Sequence, residues 1–234
     1  MNSDDTPSQP TRLNKYLALQ LGISRREADE YIERQDVVVN NTPAILGSHV
    51  TPKDTISVRG EEVRHTAKKI YLAFNKPVGY VCSRKQQGDA PTIYSIIPKQ
   101  YHALKPVGRL DKDSSGLLLL SNDGDFAFHM THPQFYKKKI YGVHLDRNLE
   151  PLHQQMISDR GITLDDGLSK FELEKVVDDR RDMWRITMSE GRNRQIRRTF
   201  TALGYTVTAL HRTQFGIYTL GDLAPGEWQK TQKL

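Results

Sequence analysis

Gly108-Arg109-Leu110-Asp111-Lys112-Asp113-Ser114-Ser115-Gly116-Leu117-Leu118-Leu119-Leu120 places an aspartate in a loop with glycines on both sides, immediately before a wholly apolar strand. Glycine lets a backbone turn tightly, adopt left-handed angles or come close to a ligand. A loop braced by a rigid strand is where reacting side chains tend to sit. Aspartate is also an ordinary turn residue, because its carboxylate bonds to nearby backbone N–H groups. From this stretch alone Asp111 reads two ways, as a turn former or as a reacting carboxylate.

On the C-terminal and near N-terminal sides of this loop, strands dominate. Ile70-Tyr71-Leu72-Ala73-Phe74 predicts a strand that starts a new core, and Asn75-Lys76-Pro77-Val78-Gly79 turns the chain. Further strands are expected at Leu117 to Leu120, Ile140 to Leu145, Phe171 to Val177 and Met183 to Met188. The last two are joined at Asp178-Asp179-Arg180-Arg181-Asp182, a hairpin tip. Helices are expected at Asp125 to Met130, Pro151 to Ser158, and Arg194 to Leu203, the last closed by Gly204. Strand runs with interspersed helices predict an α+β fold over residues 69–234, built on a mixed, largely antiparallel sheet with flanking helices.

The N-terminal part reads differently. From Leu13 the apolar positions Leu13, Tyr16, Leu17 and Leu21 follow helical spacing, and Gly22 ends that helix. Ser24-Arg25-Arg26-Glu27 predicts a capping box, in which the serine bonds the third helical N–H and the glutamate reaches back. The helix it opens is expected to bury Ala28, Tyr31 and Ile32 and to expose Arg25 and Arg26. Val37-Val38-Val39 predicts a short strand, Asn40-Asn41 a turn that tolerates left-handed backbone, and Thr55-Ile56-Ser57-Val58 a half-buried strand. Residues 12–60 therefore form a small domain of their own. Residues 1–11, polar with two prolines, are expected to be disordered, and the charged residues 61–68 to be a linker.

Composition narrows the class of function. With 37% hydrophobic residues the chain has enough apolar mass for a soluble core, and no run of about 18 apolar residues spans a membrane. Met1 to Gln9 lacks the basic start and apolar centre of a signal peptide. Cys82, the one cysteine, cannot form an internal disulfide, and no Cys/His cluster has metal-ligand spacing. The cytoplasm is the expected compartment and a monomer the expected state. A net charge of +6 is suggestive only, but its distribution is informative. Arg192, Arg194, Arg197 and Arg198 fall close together, Lys137 to Lys139 are consecutive, and Arg12, Lys15, Arg25, Arg26 and Arg34 mark the N-terminal segment. Three basic clusters on one chain favour a polyanionic partner over a merely solvated surface.

Two more stretches carry chemistry. Glu190-Gly191-Arg192-Asn193-Arg194-Gln195-Ile196-Arg197-Arg198 leads into a helix whose apolar positions include Ile196, Phe200 and Leu203. Arginines at a helix start oppose the helix dipole, so an anion is expected there: a phosphate, a carboxylate, or both. In Lys139-Ile140-Tyr141-Gly142-Val143, alternation turns Tyr141 away from Ile140; packing is the ordinary role of such a tyrosine. Asp123 and Asp125 around Gly124 read as turn chemistry, and the eight histidines lack a carboxylate partner at readable spacing.

Two family resemblances follow from these residues. Arg12-Leu13-Asn14-Lys15-Tyr16-Leu17, Gly22-Ile23-Ser24-Arg25-Arg26-Glu27-Ala28, Val37-Val38-Val39-Asn40 and Pro52-Lys53-Asp54 resemble the S4 RNA-binding domain along nearly its whole length. Where that family usually has a glycine before the first strand and Asn-Gly in the turn, this chain has Gln35-Asp36 and Asn40-Asn41, a departure in loop detail. Asn75 to Gly79, Gly108 to Asp111 with Gly116-Leu117-Leu118, Lys139-Ile140-Tyr141, and Gly191 to Arg198 are similar to the ordered motifs of single-site ribosomal RNA pseudouridine synthases. That resemblance runs from about Lys69 to Trp228. It implies Asp111 as the essential catalytic carboxylate, Tyr141 as the aromatic residue against the target base, and Arg197 as the partner of the aspartate. With the S4 resemblance it also marks Arg12, Lys15, Arg25, Arg26, Lys76, Arg109, Arg192, Arg194 and Arg198 as expected RNA contacts.

The implied partner is ribosomal RNA or a ribosomal assembly intermediate. The implied reaction moves uracil from N1 to C5 on the same ribose, with no redox change or net hydrolysis, so no cofactor or metal is expected. A carboxylate serves it either by attacking C1′ or by removing the C2′ proton. Lys112-Asp113 and Arg194-Gln195-Ile196-Arg197-Arg198 lean toward a large-subunit target. Two other classes remain: a catalytically silent RNA-binding assembly factor, and a glycosidase using Asp111 with a second carboxylate, for which the sequence offers no candidate.

Overall fold

The structure is a computed structural model that describes residues 10–64, 68–84 and 88–234. The chain divides into two compact units, Met1–Lys69 with Asn122–Gly124, and Ile70–Ser121 with Asp125–Leu234.

In the first unit, β1 (Thr11–Arg12) leads into α1 (Leu13–Leu21) and α2 (Arg25–Glu33). Gly22 ends α1 in the left-handed region at φ 70°. Ser24 Oγ accepts from the Glu27 N–H at 3.0 Å, and the Glu27 carboxylate takes the Ser24 N–H at 3.4 Å, so the predicted capping box is present. The strands are β2 (Val37–Val39), β3 (Thr42–Pro43), β4 (His49–Val50), β5 (Ile56–Val58) and β6 (Glu61–Glu62), with sheet order β3-β2-β5-β6 and β1 paired to β4. Asn40 and Asn41 turn the chain with φ 50° and 66°. Leu13, Leu17, Ala28 and Ile32 pack with Val37 and Ile56 as the core. Tyr31, expected in that core, is only partly buried, with the Arg59 guanidinium 4.9 Å over its ring.

Both expected irregular segments are more ordered than the sequence suggested. Thr11 pairs with Val50, and Glu61–Glu62 pairs with β5 where a linker was expected. Val63 is buried, and its carbonyl accepts the Tyr16 hydroxyl at 3.0 Å. Charge hid this strand, because both of its glutamates face outward on a sheet edge. Residues 1–9 and 65–67 of those two segments lie outside the described residues.

The second unit contains β7 (Tyr71–Lys76), β8 (Lys105–Val107), β9 (Ser115–Ser121), α3 (Gly124–Thr131), β10 (Lys139–Leu145) and α4 (Pro151–Gln155). There follow β11 (Ile162–Leu164), β12 (Gly167–Ser169), β13 (Glu172–Lys175), β14 (Met183–Met188), α5 (Gln195–Ala202), β15 (Val207–Phe215), β16 (Tyr218–Thr219) and β17 (Trp228–Thr231). The main sheet runs β13-β14-β10-β15-β9-β7-β17, with β16 beside β15 and β8 beside β9. Its pairings are antiparallel except β9 with β15, which is the mixed, largely antiparallel α+β sheet the sequence predicts. The leucine run of β9 follows from burial on both faces. Leu118 and Leu120 join Phe74, Trp184 and Phe200 in one core, while Leu117 and Leu119 join Phe126, Met130 and Phe215 in another.

Sequence periodicity missed β15, the longest strand and a central one. Register shifts opposite Ile140/Tyr141 and His144/Leu145 break its inside-outside alternation, so Leu210, Arg212 and Phe215 are buried at uneven spacing. Its parallel contact with β9 also explains a motif glycine. Gly116, at φ 104°, faces Arg212, and a Cβ there would lie 2.2 Å from the Arg212 carbonyl oxygen and 2.6 Å from its nitrogen. Neither atom can yield without breaking the sheet. Gly116→Ala is therefore expected to lower unfolding stability by more than about 3 kcal/mol. Equilibrium denaturation measures this, and a loss under about 1 kcal/mol contradicts the assigned register.

Candidate active site

The loop between β8 and β9 carries Asp111, and its shape is imposed from beneath. Lys76, the last residue of β7, is fully buried. Its ammonium donates to the carbonyls of Pro77 at 3.0 Å, Asp111 at 3.0 Å and Ser114 at 2.6 Å. Burial pulls its pKa below the ordinary lysine value, and the nearby Asp111 and Asp113 oppose that shift. The Gly79 N–H reaches the Lys112 carbonyl at 2.7 Å, and the Ser114 N–H closes a turn onto the Asp111 carbonyl at 3.1 Å. The Cys82 thiol donates to the Leu110 carbonyl at 3.3 Å. Lys76 was expected to touch RNA; with no exposed surface it instead organises the loop.

The arginines of the late motif meet carboxylates of this same chain. Arg194 holds Asp113 with two bonds of 2.9 Å and approaches Asp111 Oδ2 at 3.8 Å. Arg197 was expected to pair with Asp111, but it takes a different partner. Its Nε lies 3.2 Å from Asp113 Oδ2, and its other nitrogens donate to the Asp113 and Val207 carbonyls at 2.8 Å. The reason is geometric. Arg194 occupies the left-handed N-cap of α5 (φ 48°) and projects toward the loop tip, whereas Arg197 sits one turn along the helix, 11% exposed, behind the loop. The Arg194 bond, followed by the charge of Arg197, holds the Asp113 carboxyl below its usual range. Arg192 donates to Asp166 at 2.5 Å and to the Leu168 carbonyl at 2.8 Å, and Arg198 pairs with both Asp165 and Asp166. These acids precede β12 and were not recognised in the sequence, because 26 to 33 positions separate them from the arginines.

A cleft of about 500 Å³ opens over the loop. Asp111, Arg109 and Arg194 line it together with Lys139 and Tyr141 of β10 and Arg212 and Phe215 of β15. Asp111 and Tyr141, far apart in sequence, thus share one cavity. Arg197 and Arg198 do not line it. Arg109 is exposed, as are Arg12, Arg25 and Arg26 of the first unit, and Lys15 is partly buried. Arg212 is 2% exposed and donates to the Leu117 carbonyl at 2.8 Å. Its place in the cleft wall escaped the sequence reading together with β15. Glu190 also lines the cleft, bonded to Gln195 and 3.7 Å from Arg192. Among the described residues, no three His, Cys, Asp or Glu side chains converge as a metal-ligand set.

Two family models and several known proteins match this chain. The sequence model of RNA pseudouridylate synthases matches residues 70–202, and that of the S4 domain matches residues 11–56. The dual-specificity RNA pseudouridine synthase RluF of Escherichia coli K12 is 35% identical over 230 residues, spanning 95% of this chain and 76% of that protein. Ribosomal small subunit pseudouridine synthase A of Yersinia pestis is 33% identical, spanning 93% of each. A crystal structure of a pseudouridylate synthase superposes with a TM-score of 0.66 at 31% identity, covering 94% of this chain and 96% of that one.

Lys139 is the electrostatic oddity of the cleft. Its ammonium donates to the Ser189 carbonyl at 3.1 Å and the Glu190 carbonyl at 3.3 Å. Burial first, then the charge of Arg212, pulls its pKa down to about 8, with Glu190 opposing. The unfolded chain holds that proton more tightly, so the contribution of Lys139 to stability becomes more favourable as pH rises from about 8 toward the ordinary lysine value. Carbon-13 NMR of the lysine ε-carbons should show one resonance titrating near pH 8 that disappears in Lys139→Arg. Titration of every lysine above pH 10 contradicts the burial assigned to it.

Proposed function

The chain belongs to the RNA pseudouridylate synthase family, and from that premise we propose that it isomerises a specific uridine of ribosomal RNA, with Asp111 as the reacting carboxylate. The observation that carries this reading is the shared cavity, a space of nucleotide size lined by both Asp111 on its braced loop and Tyr141. Asp113 is bonded to two arginines, whereas Asp111 has one guanidinium at 3.8 Å and keeps its oxygens available.

Catalysis proceeds on an extruded nucleotide, since C1′ of a stacked residue is out of reach. Asp111 either attacks C1′, giving a ribosyl ester, or takes the C2′ proton, giving a glycal. In both routes the N1–C1′ bond breaks and its electron pair leaves with uracil. The base turns over Tyr141 and C5 bonds to C1′, either as the ester C1′–O bond breaks and frees the Asp111 carboxylate or as Asp111 returns the proton to C2′ of the glycal; the C5 proton is then lost and N1 gains a proton. Atoms balance without cofactor or water. Arg194 and Arg197 hold the Asp113 carboxyl below its usual range and, through it, orient the loop. Arg109, Arg192 and Arg194 in the cleft, Arg198 outside its lining, and Arg12, Lys15, Arg25 and Arg26 on the S4 domain meet RNA phosphates. Such a domain reads folded RNA by shape and backbone. The relatives include both a ribosomal small-subunit enzyme and one of dual specificity. The glycosidase alternative needs a second acid; Glu190 is the other carboxylate lining the cleft, and Gln195 and Arg192 already engage it.

Purified protein is expected to release tritium from C5-labelled uridine in ribosomal RNA without added cofactor, and Asp111→Asn to reduce that rate at least about 1000-fold. Substantial activity in the variant removes Asp111 from the chemistry, and free uracil as product identifies a hydrolase. Separately, Arg25→Ala combined with Arg26→Ala should lower the slope of log affinity against log salt by about two, with turnover of bound RNA unchanged. An unaltered slope excludes these arginines as phosphate contacts.

A further inference from the structure

Beside the cleft stands a group of aromatic rings with no part in the chemistry above. Thr131, the last residue of α3, and Pro133 line the cleft, and rings flank both. Phe128 lies 4.7 Å from His132 at 48°, His129 lies 4.6 Å from Phe135 at 30°, and Phe128 meets Phe135 edge-on at 5.7 Å. This patch is not core. α3 anchors itself through Phe126 and Met130 on its buried side, leaving Phe128 47% exposed. Tyr136 is 76% exposed and takes left-handed backbone (φ 45°), its N–H bonded to the Pro133 carbonyl at 3.0 Å. A bulky residue in that region is a conformational outlier, and here no burial offsets the strain. Lys137 and the exposed Lys138 come next, and β10 then carries Lys139 and Tyr141 into the cleft. One short segment thus runs from exposed rings through cations to the wall of the cavity.

We propose that Phe128, His132, Phe135 and Tyr136 form a stacking platform for one or two unpaired RNA bases adjoining the reacting uridine, with Lys137 and Lys138 meeting the neighbouring phosphates. The inference rests on the cleft being the uridine site. Extruding a nucleotide leaves its neighbours without stacking partners, and exposed aromatic faces restore that contact for any base. The adjoining lysines select a polyanion over an apolar protein surface. The platform is a determinant of RNA affinity, not of bond breaking.

The test uses the full chain carrying both Phe128→Ala and Tyr136→Ala, with Phe128→Tyr as the conservative control. The probes are single-stranded oligouridylate containing one 2-aminopurine, and ribosomal RNA from cells lacking this protein. Wild type is expected to quench the 2-aminopurine, Phe128→Tyr to keep the quenching, and the double variant to lose it. The double variant should also raise KM for ribosomal RNA about tenfold or more, with kcat within about twofold and the salt dependence unchanged, because the lost groups are uncharged. Wild-type quenching and KM in the folded double variant overturn the proposal and leave the surface to a protein partner. A fall in kcat at constant KM overturns it as well. Asp111→Asn should quench like wild type while inactive, so failure of the platform and failure of the catalytic reading are separate results.

Discussion

One buried ammonium shapes the site. Lys76 binds three backbone carbonyls, two of them from the loop that carries Asp111, and it does so from a position with no solvent. A charged group in such a place is tolerated only when its donors are satisfied, and here each is used to gather the loop. The carbonyls turn inward to the ammonium, which leaves the Asp111 side chain on the open side. Lys76 ends β7, which is paired along its length with β9, so the clamp is rigid with respect to the sheet. Gly116 at the start of β9 completes the arrangement by letting the Arg212 backbone approach.

Above that clamp, charge is distributed by division of labour between two neighbouring acids. Asp113 neutralises Arg194 and Arg197, and its pKa is depressed accordingly; Asp111 keeps a looser link to Arg194. Similarly, Asp165 and Asp166 hold Arg192 and Arg198. The basic motif is therefore set in a frame of carboxylates before any RNA arrives. Phosphates that reach these arginines must compete with internal partners, which favours well-positioned phosphates over non-specific ones.

Much of this was legible in the sequence, and the gaps have physical causes. Ser24 and Glu27 announced their helix because a capping box is local chemistry. The leucines of β9 announced a strand buried on both faces, and the glycines around Asp111 announced the loop that precedes it. Periodicity failed at β15, where bulges scramble alternation, and so Arg212 was missed. Lys76 looked like an RNA contact because lysines are usually exposed, and only its tertiary carbonyl partners show otherwise. The Asp111–Arg197 pairing failed because a motif fixes residue types and order but not which of two nearby acids a guanidinium reaches.

The central claim, that a clamp on backbone carbonyls positions the reacting carboxylate, is tested most directly by the turnover number of folded Lys76→Met on ribosomal RNA. Methionine keeps the volume and removes the three hydrogen bonds, and small misplacements of a reacting group cost about 100-fold in rate. The expected result is a loss of kcat of at least about 100-fold with RNA affinity retained. Wild-type turnover in the variant would show that the loop holds Asp111 in place without Lys76, and would contradict the account.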